Sequence, residues 1–137
     1  MLPDEARSAD TRAWLAKART DLRSAEHALA ASPPLLEDVL FHCQQTIEKA
    51  MKGLLVWHDV PFRKTHSLEE LGRQCVAIEP TLEPLADRVS PLSEYAWRFR
   101  YPDEQDSPAR EEAEEALGAA RAALAAIADC LPSAIGE

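Results

Sequence analysis

From Leu35 to Val60 the chain carries no proline, and its apolar residues recur at three- and four-residue steps. Ser32-Pro33-Pro34 closes the segment before this run, and Pro61 follows it. Proline lacks the N–H that a helix interior needs and its ring clashes with the preceding turn. The run therefore predicts one long helix, over about 35–58, on which the other elements must pack. Its densest part is FHCQQTIEKAMKGLL, Phe41 to Leu55. At about 100° per residue, Cys43, Ile47, Ala50, Met51 and Leu54 share one broad face, which is the expected core side. Gln45, Glu48, Lys49 and Lys52 fall on the opposite side, with Phe41 and Val56 among them, and Gln44 sits at the margin. Two readings of that polar flank stand. It is a solvated face, with Glu48 and Lys52 as an i,i+4 pair worth about 0.3–0.5 kcal/mol. Or it packs against a second subunit or a ligand, with glutamines and lysines supplying directed hydrogen bonds.

Similar periodicity predicts further helices. Leu15, Ala18, Leu22, Ala25 and Leu29 give one apolar stripe over about 10–31. Ser67 and Glu70 have the spacing of a capping box at the start of a short helix over about 67–78. A helical stretch over about 81–97 is broken near Ser90-Pro91. Ser107-Pro108 is an N-cap and first-turn pair for a last helix over about 107–130, whose glutamates complement the helix dipole. Glycine is scarce (4 residues), Ala and Leu recur, and no segment alternates as a strand would. The expectation is all-α: an antiparallel up-and-down bundle of about five helices, with residues 1–137 as a single domain.

Charge restricts the function. A net charge of −9 opposes broad, nonspecific binding to a phosphate backbone. From Asp103 onward nine acids face Arg110 and Arg121, whereas from Phe41 to His66 four cations face Glu48 and Asp59. An anion site belongs to the middle of the chain. Cys43, Cys75 and Cys130 are odd in number and widely spaced, without the CxxC or paired His/Cys pattern of a zinc site. They read as reduced core cysteines of a cytoplasmic protein. The acidic N-terminus is no signal peptide, and no apolar run approaches a membrane span. Glu111, Glu112, Glu114 and Glu115 lack the Glu-x-x-His partner of a carboxylate metal site and read as a solvated face. No metal and no cofactor are expected.

Three stretches carry a resemblance: WLAKARTDLRSAEHAL, then FHCQQTIEKAMKGLLVWHDVPFRKTHSLEEL, and later RYPD. A QQ-x-x-EKA-x-K helix, a short loop, and Thr-His leading into Leu-x-x-Leu resemble the HEPN domain family (higher eukaryotes and prokaryotes nucleotide-binding). The resemblance implies a helical bundle related to the C-terminal domain of kanamycin nucleotidyltransferase, and a homodimer. It also implies a partner: small members often accompany a minimal nucleotidyltransferase, as toxin–antitoxin pairs or substrate-binding complexes. Ribonuclease members carry Arg, four to six residues, then His, since His can manage a proton while Arg steadies phosphate charge. Here Arg23 precedes His27 by three intervening residues and Arg63 precedes His66 by two, so the motif is absent.

The remaining expectation is binding of a nucleotide or nucleic-acid segment, or of the nucleotidyltransferase partner. The candidate residues are Gln45, Lys49, Lys52, Arg63, Lys64, His66, Arg98, Arg100 and Tyr101, cations and donors able to gather round a phosphate. Trp97, Phe99 and Tyr101 offer a stacking face. Several have a structural alternative: Arg98 and Arg100 pair with acids of the last helix, Trp97 lies in the core, His66 hydrogen-bonds within the turn before Ser67, and Thr65 instead of Ser67 caps the helix. Two other functions are carried alongside: a ribonuclease toxin with a displaced active site using His66 and Arg63, and a purely structural assembly partner.

Overall fold

A computed structural model describes residues 4–99 and 107–136. They form six α-helices: α1 (Asp4–Ala30), α2 (Leu36–Trp57), α3 (Leu68–Ile78), α4 (Glu83–Val89), α5 (Arg110–Asp129) and α6 (Ser133–Gly136). Short 3-10 segments at Pro80–Leu82 and Ser90–Ala96 flank α4, and the described residues contain no strand. The all-α expectation holds. The stretch expected over 81–97 is helical in three pieces, because Pro84 and Pro91 each begin a new turn. Helix α1 starts six residues before the expected position, at Asp4, with Asp4 and Glu5 complementing the dipole of its first turn.

Helix α2 is the spine. A tight connection lets Leu35 N–H donate to Ala28 O (2.9 Å), which folds α2 back along α1. The two helices approach closely at Gly53, where an added Cβ would stand 3.3 Å from Trp14 Cβ. Leu40, Ile47, Met51, Leu54 and Leu55 are fully enclosed, meeting Leu15 of α1, Leu68 and Leu71 of α3 and Ile127 of α5 in one core. At its C-terminus, Val60 N–H donates to Leu55 O and Asp59 N–H to Val56 O, the paired bonds of a Schellman ending. Asp59 occupies the left-handed region (φ 57°), which a short polar side chain tolerates better than a branched one. This ending turns the chain into the segment 60–67 that leads to α3.

Two helix starts differ from expectation. Ser67 Oγ accepts from Glu70 N–H (3.1 Å), but the reciprocal half of the capping box is not made. Glu70 instead accepts from Arg63 (2.8 Å), and Ser67 N–H donates to Thr65 Oγ1 (3.0 Å). A charge-assisted guanidinium bond outcompetes a neutral backbone donor for the carboxylate. Helix α5 begins at Arg110 with Ala109 as its N-cap and no side-chain cap, so Ser107 is not the cap. Pro108 is buried there instead, and Glu111 and Glu112 stabilise the first turn.

Among the described residues, no helix is long and apolar enough to cross a membrane. The three cysteines are free, with Cys43 and Cys75 buried. Burial pushes both thiols up to about 12 from an ordinary 9.0. Each stays protonated in the fold while the unfolded chain ionises near 9, so their contribution to stability is complete at neutral pH and falls as pH climbs from 9 towards 12. At pH 8 about one in 10⁴ of these thiols is thiolate. A disulfide-exchange titration of native protein at pH 8 is expected to leave Cys43 and Cys75 unmodified until denaturant is added; their rapid modification would contradict this packing.

Candidate functional site

The polar flank of α2 turns inward against its own chain. Glu48 and Lys52, expected on the outer side, are only 4% and 7% exposed, and Gln44 is fully enclosed. The solvated-face reading fails for this pair because α1 and the 60–67 segment lay a second layer over the helix. Trp14 of α1 and Phe62 of that segment meet edge to face (6.2 Å, 73°), and the Lys52 ammonium stands 5.5 and 5.7 Å from their ring centroids. Two aromatic rings and a carboxylate replace water around the lysine.

Glu48 is the centre of this network. One oxygen accepts from Gln44 Nε2 (3.1 Å) and is 2.8 Å from His66 Nδ1, while the other accepts from Lys52 Nζ (3.0 Å). Gln44 Nε2 also donates to His66 O (3.1 Å), and Gln45 Nε2 donates to Gln44 Oε1 (2.7 Å). A carboxylate at Nδ1 favours a proton on that nitrogen, which leaves Nε2 as the outward face of the ring. The side chain of His66 is 63% exposed although its anchor is buried. Among the described residues the ring makes no other hydrogen bond or ion pair.

A second cluster repeats the pattern through other residues of α2, His42 and Lys49. Asp21 of α1 holds His42 Nδ1 at 2.8 Å and Lys49 Nζ at 2.6 Å. Its carboxylate is largely buried, and both partners are part-exposed. Sequence reasoning did not single out Asp21 or His42. The signal was there: Asp21 is an acid within the buried stripe of Leu15, Ala18 and Ala25, and an enclosed acid needs cations facing it.

The other candidates do not form one constellation. Arg63 grips Glu70 on the surface, which holds the guanidinium above and the carboxylate below their ordinary ranges. Lys64 is exposed and has no ion-pair partner among the described residues. Arg98 pairs with Glu94 (3.1 Å) and with Glu112 of α5 (3.2 Å), as its structural alternative anticipated. It also lies over Phe99 and Tyr95, and the Tyr95 hydroxyl donates to Glu112 (2.5 Å). Burial and that carboxylate raise the Tyr95 phenol above its ordinary range. Trp97 is 58% exposed, so it is not a core residue. Arg100 and Tyr101 lie outside the described residues. No group of three or more His, Cys, Asp or Glu among the described residues is arranged to hold a metal ion.

A consequence for stability follows from the enclosure of Glu48. Lys52→Ala is expected to destabilise the fold by about 3–5 kcal/mol, because it strands a buried charge, whereas Glu48→Leu with Lys52→Met recovers most of that loss. Urea melts of the two variants measure it. A Lys52→Ala loss below about 1 kcal/mol would place the pair in water.

The HEPN domain family model matches residues 11–130. No match is found among curated proteins or solved structures.

Proposed function

The chain belongs to the HEPN domain family, and on that premise we propose that it is a non-catalytic member that binds a nucleotide or nucleic-acid segment. In this reading it acts as a homodimer and partners a minimal nucleotidyltransferase in a toxin–antitoxin-like pair. Family membership points to a nucleotide- or RNA-related role, and HEPN domains often dimerise. The observation that supports the binding reading best is the presentation of His66. An enclosed Glu48–Lys52 pair is costly to desolvate, and here the Glu48 oxygen turned away from Lys52 holds both Gln44 and the exposed His66 imidazole. Lys64 stands two residues from that imidazole and supplies an ammonium for phosphate oxygens, the outward Nε2 can accept from a ligand N–H or O–H, and Arg63 beside them is held by Glu70. Lys49 and Lys52 act behind this surface: each is committed to a carboxylate of its own chain, so they shape the site rather than reach a ligand.

Calorimetric titration with ATP and GTP tests the binding. Lys64→Ala with His66→Ala is expected to weaken nucleotide affinity at least fivefold while leaving the circular-dichroism spectrum unchanged. Equal affinity in the variant would remove the loop from recognition.

One observation favours a second reading, ribonuclease activity. A buried carboxylate at Nδ1 and an exposed Nε2 is the arrangement of a histidine prepared to take a proton. Against it, Arg63 is occupied by Glu70. Labelled RNA incubated with wild-type protein and with His66→Ala separates the readings: the binding account expects intact RNA in both. Cleavage that disappears with the substitution would establish the enzyme.

A further inference from the structure

We infer that the outer face of α1 is a binding surface for a short single-stranded nucleic-acid segment, separate from the Arg63–His66 loop. The observation is a segregation of cations. Among the described residues outside α1, lysines and arginines each hold a carboxylate, Lys64 and Arg88 excepted. Helix α1 is different. Arg12, Lys17 and Arg23 are exposed and none has an ion-pair or hydrogen-bond partner among the described residues. Between Arg12 and His27 no exposed acid opposes them: Asp21 is buried with its own partners, and Glu26 is held by Arg121. In a chain of net charge −9, partners were plentiful, yet these three cations hold none among the described residues.

Its geometry fits a strand. Arg12 and Arg23 lie within about 20° of one line along the helix and roughly 16 Å apart, a spacing that spans a few nucleotides. Lys17 lies between them in height but about 120–140° round the helix, on the side towards α2, so a bound strand crosses α1 from the arginine line to that side. There an open cavity of about 370 Å³ is lined by Asp10, Ala13, Trp14, Lys17 and Lys49. Its wall combines an indole, two ammonium groups and one carboxylate. A base entering it meets the aromatic wall, Lys17 meets an adjacent phosphate while Lys49 stays on Asp21, and Asp10 can accept from an exocyclic amine. Trp14 is braced from behind by Phe62 and Lys52, so the buried Glu48 network also sets this wall.

Fluorescence polarization with a labelled oligoadenylate of about 12 nucleotides tests the inference on the full chain. Arg12→Ala, Lys17→Ala and Arg23→Ala combined alter only exposed side chains and are expected to weaken binding at least tenfold at about 50 mM salt. The slope of log affinity against log salt should fall by about 2, from about 0.7 for each lost phosphate contact. Ala13→Gln, which narrows the cavity mouth, should weaken binding at least threefold with the slope unchanged. Arg73→Ala, which removes an exposed cation of α3 paired with Glu69, should leave oligonucleotide affinity as in wild type. If Lys64→Ala with His66→Ala loses the strand and the α1 variant keeps it, the α1 surface is overturned and the loop reading stands. Loss in the α1 variant alone supports the inference and leaves the loop to its own mononucleotide titration. Absence of any polarization change with wild-type protein at about 50 mM salt would also overturn it.

Discussion

A carboxylate enclosed within a helical bundle is costly unless each of its oxygens is met by a donor. Glu48 meets that condition with three different groups, the amide of Gln44, the ammonium of Lys52 and the imidazole of His66. The partners come from α2 itself and from His66, two residues before α3, so satisfying the charge fixes where the 60–67 segment lies. That segment places Phe62 on Trp14, and the two rings close the space over Lys52. Packing of α1, the path of the loop and the pose of His66 are therefore parts of one electrostatic solution. Replacing the ions by apolar groups would be tolerated by the core, as buried pairs often are. What would be lost is the fixed position of the imidazole.

This arrangement divides labour along α2. Its apolar face joins α1, α3 and α5 into the core, while its polar flank is a scaffold that orients groups belonging to other elements. The Asp21 cluster does the same for His42 and Lys49. Groups left accessible include the His66 ring, Lys64 beside it, and Lys17 of α1 at the Trp14 cavity. The acidic half of the chain contributes differently. Glu112 receives both Arg98 and the Tyr95 hydroxyl, tying the turn before the 100–106 segment to α5.

Much of the fold was legible in the sequence because helical period and proline punctuation are local signals. The α2 spine, the α1 stripe, the Ser67 cap and the break at Ser90-Pro91 all follow from residues close in the chain, and the HEPN resemblance rested on motifs along α1 and α2, on Thr-His leading into the Leu-x-x-Leu of α3, and on RYPD. The site was less legible because its contacts are long-range. Periodicity placed Glu48 and Lys52 opposite the core residues correctly in angle, but it carries no information on what covers that side. The cover comes from Trp14 and Phe62, which are distant in sequence from Lys52 or beyond a turn. The incomplete capping box has the same origin: spacing identified Glu70, and a competing guanidinium from Arg63 redirected it. An acid within an apolar stripe, as Asp21 is, was the one local sign of a buried ion cluster.

The pose of His66 can be observed directly. Long-range ¹H–¹⁵N spectra of the imidazole ring at about pH 8.5, above the ordinary titration of histidine, report which nitrogen carries the proton. If Glu48 holds the ring, His66 shows the proton on Nδ1 and an unprotonated Nε2, and Glu48→Gln changes that pattern. A ring protonated on Nε2, or one averaging between tautomers in the wild-type protein, would contradict a site organised by the buried carboxylate.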